Sequence, residues 1–238
     1  MEIRPVILVL ADISGYTRFI KYHRVSLIHA EKIITDLLES VISSADRPLV
    51  LHELEGDAVS FYAIEEGDGE CAGEVFAQVE RFVDAFRQRE AELISDCTTC
   101  ECEACERVGQ LKIKVVLHRG RALFTRVRQF KKVAGEDVII AHRLHKNSVP
   151  SKEYILMTEP FVEACSELKD RPLESRTEHP EGLDEMPVYI LNFDQSTPIE
   201  AAERSTWDRV KMFAKLEGYT VRRFLFPSRR TYRNLPDD

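Results

Sequence analysis

The stretch ILVLADISGYTRFI, residues 7–20, places a carboxylate, Asp12, directly behind a run of aliphatic side chains. A short continuous aliphatic run is typical of a central strand that is covered on both faces. The small and polar residues that follow can begin a helix, for which Asp12 would serve as the N-terminal cap. The stretch therefore predicts a buried strand that ends near Asp12 and leads into a helix.

The segments that follow predict alternating helices and strands. Residues 26–44 repeat apolar positions every three and four residues, as an amphipathic helix does. Two alternating runs then flank Glu55-Gly56-Asp57, which predicts a β-hairpin with Asp57 at its tip. Further patterns predict helices over 70–94 and 135–146, and strands over 111–120, 121–127 and 153–159. This order indicates an α+β fold, a mixed β-sheet with helices packed on one face.

Asp12 and Asp57 are expected to converge if their strands are neighbours, because both side chains leave from the same end of the sheet. Two carboxylates that meet without a cation repel each other, whereas Mg²⁺ or Mn²⁺ between them keeps both ionised. Such a pair suits phosphoryl or nucleotidyl transfer. The spacing alone favours a structural explanation, in which Asp12 caps a helix and Asp57 is a turn residue.

The charge balance limits the partners. The 238 residues include 41 acidic and 33 basic side chains, a net charge of −8. This field repels nucleic acid and anionic membranes, so a phosphate-bearing ligand would need a local anion-binding site. No apolar run approaches the ~20 residues of a membrane span, and the N-terminus has no signal-peptide pattern. We therefore expect a cytoplasmic protein with no nucleic-acid partner and no membrane span.

Four thiols crowd into the stretch CTTCECEAC: Cys97, Cys100, Cys102 and Cys105. In a reducing cytosol so dense a cluster indicates a metal rather than disulfides, and four thiolates form a tetrahedral Zn²⁺ site. Common zinc motifs separate their cysteine pairs by about fifteen residues, so this loop would wrap one ion tightly or share it with another chain or with His118. Structural zinc is favoured, while a redox-sensing or free-thiol loop and an iron–sulfur centre stay open.

The composition changes towards the C-terminus. A polar, proline-bearing segment is followed by an apparent edge strand over 188–193 and a helical pattern over 198–218, and the last residues mix aromatics with arginines. We predict a main domain over residues 1–168, which includes the Cys-rich loop 97–105, and a C-terminal extension over residues 169–238.

Four motifs together resemble the catalytic domain of class III nucleotidyl cyclases, the adenylate and guanylate cyclases. They are ADISGYT, EGDAVSFYA, LKIKVVLHRGRAL and GEDVIIAHRLHK, in the order that this family has. The segment KNSVPSKEY and the Cys-rich loop are similar to those of a bacterial cyclase-like branch. The resemblance implies a ferredoxin-like cyclase fold over residues 1–168, and a homodimer whose active sites combine residues of two chains.

The resemblance also implies the roles of particular residues. Asp12 and Asp57 would bind two divalent cations, Mg²⁺ or Mn²⁺, with the carbonyl of Ile13 as a further ligand. Arg143 would stabilise charge on the transferring phosphate. The backbone from Ile13 to Thr17 would cradle the triphosphate; it comprises Ile13, Ser14, Gly15, Tyr16 and Thr17. Glu136, Asp137 and His142 lie on the Arg143 helix and are expected to be solvated or interfacial.

Three positions depart from the family pattern. Ile139 stands where the family has an asparagine that orients the ribose, and isoleucine cannot donate a hydrogen bond. Glu53 and Lys132 fall at the two base-reading positions; Glu53 could accept from guanine N1–H and the exocyclic amine, while Lys132 could donate to O6. The pair favours guanine over adenine. Alternatively, both are exposed charges on a site that no longer binds nucleotide.

Two functions from different classes follow. The first is a divergent cyclase that converts a nucleoside triphosphate, with GTP favoured, to a cyclic 3′,5′-nucleotide and pyrophosphate at a dimer interface. The second is a catalytically inactive nucleotide- and metal-binding sensor or dimeric scaffold. Asp12, Asp57 and Arg143 favour the enzyme, whereas Ile139 and Lys132 favour the binding module.

Overall fold

The computed structural model describes residues 1–22, 27–65, 71–96 and 103–193. The strands are β1 (Glu2–Ser14), β2 (Val50–Glu55), β3 (Ala58–Ile64), β4 (Lys112–Val127), β5 (Phe130–Ala134), β6 (Tyr154–Thr158), β7 (Glu174–Glu178) and β8 (Met186–Asn192). The helices are α1 (Tyr16–Tyr22), α2 (Leu27–Ser44), α3 (Cys71–Asp96), α4 (Glu103–Glu106), α5 (Glu136–Leu144) and α6 (Glu159–Ala164).

In the described residues, eight strands form one mixed sheet. Seven of them run in the order β2-β3-β1-β4-β6-β8-β7, and β5 pairs with the far end of β4. β4 and β6 are parallel, and the other pairs are antiparallel. β1 lies between β3 and β4, and Asp12 pairs with Ala58 of β3 on one side and with Lys114 of β4 on the other. The predicted α+β fold with a mixed sheet is confirmed.

The sheet buries side chains on both faces, as the aliphatic run of β1 predicts. Ile7, Val9 and Ala11 belong to the larger core, which also contains the buried sides of α2 and α3. Val6 and Leu8 belong to a smaller core with buried residues of α5. The single-face packing that we predicted therefore describes α2 and α3, whereas α5 covers the opposite face.

Several elements differ from the sequence-based expectations. The segments 111–120 and 121–127 form one continuous strand, β4, because β1 pairs along nearly its whole length. The segment 188–193 lies within β8, which is an interior strand between β6 and β7 and not an edge. β5 and β7 were not predicted; β7, with the sequence ESRTE, has no apolar alternation. β7 and β8 pair in the same sheet as the earlier strands, and the predicted terminal helix lies outside the described residues.

Candidate functional site

Asp12 and Asp57 meet at one end of the sheet. Asp12 lies near the end of β1, and Asp57 lies in the tight β2–β3 turn, where Gly56 has a φ of 61°. The backbone N–H of Ile13 donates to the carbonyl oxygen of Asp57 at 3.2 Å. The structure thus brings together the two carboxylates that the sequence paired.

Asp12 is buried, with 5% of its surface exposed, and the side chains of Lys114 and His145 approach it. Nζ of Lys114 lies 3.1 Å and Nε2 of His145 lies 2.9 Å from the same carboxylate oxygen, Oδ2. Lys114 also donates to the carbonyl oxygen of His145 at 3.2 Å. The His145 contact lies outside hydrogen-bond geometry, so the buried Nε2 has no hydrogen-bond partner among the described residues.

The two carboxylates have opposite pKa shifts. Burial raises the pKa of Asp57 to about 7, and the neighbouring Asp12 carboxylate adds to this effect. Burial also pushes the pKa of Asp12 upward, but the contacts with His145 and Lys114 outweigh it and hold this pKa below its ordinary value. Asp12 therefore carries the negative charge, and Asp57 retains its proton to near neutral pH.

This donor set fits a hard divalent cation. Two carboxylates that repel each other are stabilised when a cation lies between them, and oxygen ligands are those that Mg²⁺ and Mn²⁺ prefer. Within the described residues, no group of three or more His, Cys, Asp or Glu side chains is placed to hold a metal ion. Asp12 and Asp57 match the Mg²⁺ pattern of one or two protein carboxylates, with the remaining ligands from a phosphate and water.

A cavity of about 560 Å³ lies next to this pair. One wall is the β1–α1 turn, from Ile13 to Arg18, which contains the predicted phosphate cradle. Gly15 has a φ of 95°, and a Cβ there would lie 3.3 Å from the carbonyl oxygen of Gln110, so the turn requires glycine. The segment between α5 and β6 also lines the cavity, through Asn147 and residues 149–152.

A second cavity, of about 700 Å³, lies between the β2–β3 hairpin and α5. Glu53 and Arg143 both line this cavity, together with Asp57 and His145, which line the first cavity as well. Nη1 of Arg143 donates to the backbone oxygen of Glu181 at 2.6 Å and contacts its carboxylate at 3.0 Å. The two cavities therefore adjoin at Asp57 and His145, and Arg143 is bound by a residue of the β7–β8 connection.

The other two departures from the family pattern lie apart from the carboxylates. Lys132 is exposed on β5, opposite Thr125, and is not among the described residues that line either cavity. The structure therefore does not bring Lys132 next to Glu53 within one chain. Ile139 is 52% exposed on α5, so its hydrocarbon side chain faces away from the core.

The N-terminal end of α5 is held by a partly buried hydrogen-bond network that was not predicted from the sequence. Nδ1 of His118 lies 2.9 Å from Oγ1 of Thr158, and its Nε2 lies 3.0 Å from Oδ1 of Asp137. Oδ2 of Asp137 accepts from the backbone N–H of Arg121 at 2.7 Å. Asp137, expected to be solvated or interfacial, instead anchors α5 to β4. In the sequence, the one indication of this contact is Gly120 within a strand, because glycine in a strand often marks the close approach of another group.

The Cys-rich loop is described only in part. Cys97, Cys100 and Cys102 lie outside the described residues, while Cys105 is buried in the larger core. The zinc site stays a prediction. His118 lies on β4, and its two ring nitrogens contact Thr158 and Asp137, so binding a metal through His118 would break one of these contacts.

Solved adenylyl and guanylyl cyclases have the same fold. The guanylyl cyclase Cya2 matches with a TM-score of 0.61 at 13% identity, over 84% of this chain and 98% of that chain. The adenylyl cyclase CyaB from P. aeruginosa matches with a TM-score of 0.62 at 12% identity, over 82% and 98%. The guanylate cyclase domain of RhGC from Catenaria anguillulae, solved in complex with GTP, gives 0.56 at 16%, over 80% and 97%. The chain therefore has the fold of the class III cyclase domains.

Sequence relatives define the family. The profile of the family described as "Protein of unknown function (DUF2652)" matches residues 34–154, a range that includes Asp57 and Arg143. The Mycobacterium tuberculosis protein "Uncharacterized protein Rv2561/Rv2562" is 34% identical over 164 residues, which are 68% of this chain and 74% of that protein. The chain belongs to the DUF2652 family. Among its described helices, none has the length and apolar character needed to cross a bilayer.

We predict that Gly120→Ala loosens the attachment of α5. A Cβ at this position would lie 2.2 Å from Cγ of Asp137, and moving that carboxylate would break its contacts with His118 and Arg121. The expected loss is about 1–3 kcal/mol of unfolding free energy, measured by urea denaturation.

The matched control is Gly109→Ala, where the Cβ meets Cδ1 of Ile94 at 3.4 Å and the expected change is within about 0.5 kcal/mol. In an Asp137→Ala background, Gly120→Ala should have a smaller effect, because the clashing group is gone. An unchanged loss in that background would contradict the proposed contact.

The pH dependence of stability should report on His118. Burial lowers the pKa of His118 below 6.5, against the opposing effect of the Asp137 carboxylate. The unfolded chain therefore binds a proton that the folded protein does not, and stability falls as the pH drops below that unfolded value. Between about pH 7.5 and pH 5.5, the free energy of unfolding should fall by about 1 kcal/mol less in His118→Gln than in the wild type. Equal losses in the variant and the wild type would exclude this role.

Proposed function

We propose that this protein is a divergent nucleotidyl cyclase, which converts a nucleoside triphosphate to a cyclic 3′,5′-nucleotide and pyrophosphate. The observation that carries the proposal is that Asp57 lines both cavities, while Asp12, the carboxylate beside it, lines the smaller one. A nucleotide that spans the two cavities would have its phosphates on one side and its nucleoside on the other. The shared fold with Cya2 and CyaB adds support.

The base preference rests on Glu53. Glu53 lines the 700 Å³ cavity. Its carboxylate can accept hydrogen bonds from N1–H and the exocyclic amine of guanine, whereas adenine has no proton on N1. We therefore favour GTP as the substrate. Lys132, the second base-reading residue that we predicted, lies away from this cavity and is not used in the proposal.

The carboxylates and Arg143 have separate roles. Asp12 and Asp57 would hold Mg²⁺ or Mn²⁺, which neutralises phosphate charge and lowers the pKa of the ribose 3′-hydroxyl. With a cation bound, Asp57 would remain ionised although burial and Asp12 raise its pKa. Arg143 would offset the charge that develops on the phosphate, and it must first exchange Glu181 for that phosphate.

A homodimer would complete the site. Val50, Leu51 and Leu54 are 44%, 48% and 57% exposed on β2, which is an edge strand of the sheet. Exposed apolar side chains on an edge strand mark a surface that favours burial against another chain. Ile139 on α5 adds to the exposed apolar surface. We propose that two chains pair through β2 and α5, so that the partner chain lies next to the 700 Å³ cavity and can add residues to the site.

A second function, nucleotide binding without turnover, is favoured by two observations. Ile139 occupies the position at which a hydrogen-bonding side chain would orient the ribose, and its exposed side chain has no polar group to offer. Arg143 is also engaged by Glu181, as its contacts at 2.6 and 3.0 Å show. A chain with these features would retain the carboxylates and the cavities while cyclising slowly or not at all.

The test is to incubate the purified full chain with Mn²⁺ and each of the four ribonucleoside triphosphates, and to detect cyclic products by mass spectrometry. We expect cyclic GMP to form fastest. Asp57→Asn should reduce the rate by about 100-fold or more, because changes outside the metal ligands already cost 10- to 100-fold in comparable sites. Asp170→Asn, the same change at an exposed position, should leave the rate unchanged.

The melting temperature separates the two functions. If no triphosphate is consumed but Mn²⁺ and GTP raise the melting temperature of the wild type and not of Asp57→Asn, the binding module is correct. If no triphosphate is consumed and Asp57→Asn behaves like the wild type in both assays, the proposed nucleotide site is wrong.

A further inference from the structure

The segment between α5 and β6, Lys146 to Glu153, is fixed by its own hydrogen bonds. Nδ2 of Asn147 donates to the carbonyl oxygen of Leu144 at 2.9 Å. Oδ1 of Asn147 accepts from the hydroxyl of Tyr154 at 2.8 Å and from the backbone N–H of Val149 at 3.0 Å. One amide therefore connects the end of α5, the middle of the segment and the start of β6. We refer to residues 146–153 as the α5–β6 loop.

A buried carboxylate from β7 holds the same loop. Glu178 is 5% exposed and accepts from the backbone N–H of Ser148 at 3.0 Å and from its hydroxyl at 2.8 Å. A buried carboxylate is costly unless hydrogen-bond donors satisfy it. The two bonds to Ser148 therefore hold Glu178 and the loop in one position relative to each other. The α5–β6 loop is thus preformed, which lowers the entropy cost of binding a ligand.

The loop and the β1–α1 turn line the same 560 Å³ cavity, a volume that suits a small ligand. The turn contributes the hydroxyl groups of Ser14 and Thr17 and the guanidinium of Arg18, and the loop contributes Lys152. The Ser151 hydroxyl of the loop donates to the carbonyl oxygen of Glu153 at 3.3 Å. Among the described lining residues, Asp12 and Asp57 are the only carboxylates, and Lys114 and His145 already contact Asp12. Lys152 is exposed and forms no ion pair in the described part of the chain.

We propose that the α5–β6 loop is the second wall of a polyphosphate site formed within one chain, with Lys152 as a binding residue for the phosphates. A chain of phosphates is multiply charged and rich in acceptors, so it is recognised by cations and by hydroxyl donors that converge from two sides. The loop places Lys152 at the cavity that Ser14 and Thr17 also line. This inference rests on the proposed function, because it assigns the phosphate end of the nucleotide to this cavity.

The test is calorimetric titration of the full chain with inorganic pyrophosphate in a buffer that contains Mg²⁺. Lys152→Gln should weaken pyrophosphate binding about 10-fold, as expected for the loss of one charged hydrogen bond. Lys169→Gln removes the same charge at an exposed position that lines neither cavity, so its pyrophosphate affinity should stay within about twofold of the wild type. GTP affinity should fall in parallel with pyrophosphate affinity in Lys152→Gln, while guanosine binding stays unchanged.

The inference is overturned if the wild type binds no pyrophosphate, if Lys152→Gln binds it as tightly as the wild type, or if Lys169→Gln loses as much affinity as Lys152→Gln. Failure of the cyclase assay has a different signature. Pyrophosphate binding that depends on Lys152, with no cyclic product from any triphosphate, would support the phosphate site and remove only the proposed turnover.

Discussion

The burial of Asp12 at the end of the central strand is the constraint on which the site depends. β1 is paired with β3 on one side and β4 on the other, so the Asp12 carboxylate cannot turn freely into water. A buried carboxylate must be compensated, and here Lys114 and His145 approach the same oxygen. Burial, together with the neighbouring charge of Asp12, raises the pKa of Asp57 to about 7. The end of β1, the β2–β3 turn, β4 and the end of α5 therefore meet around the buried carboxylate of Asp12.

α5 connects this point to the rest of the proposed site. Its first turn is fixed to β4 through Asp137 and His118, and the residue after its last turn, His145, reaches Asp12. Arg143 lies between these two attachments, so its position in the larger cavity follows from both. The α5–β6 loop continues directly from His145 and lines the smaller cavity. α5 thus connects the larger cavity, proposed for the nucleoside, to the smaller cavity, proposed for the phosphates.

The sequence predicted the parts of this arrangement that depend on local patterns. The aliphatic run of β1, the Gly56 turn and the periodicity of α2 are local signals, and the meeting of Asp12 with Asp57 follows once β1 and β3 are neighbours. It could not predict β7, whose side chains are polar, or the place of β8 within the sheet. The contacts of His118 and Asp137, 19 positions apart, and of Ser148 and Glu178, 30 positions apart, depend on tertiary packing. Such pairings leave no periodic pattern in one sequence.

In the proposed mechanism, Asp12 and Asp57 form a divalent-cation site that cooperates with a nucleotide. Mn²⁺ titration of the full chain, followed by electron paramagnetic resonance of the free ion, measures this cooperation directly. We expect GTP to tighten Mn²⁺ binding in the wild type and Asp57→Asn to abolish this effect, because one of the two carboxylates is lost. Equal Mn²⁺ binding by the wild type and Asp57→Asn, with and without GTP, would contradict this mechanism.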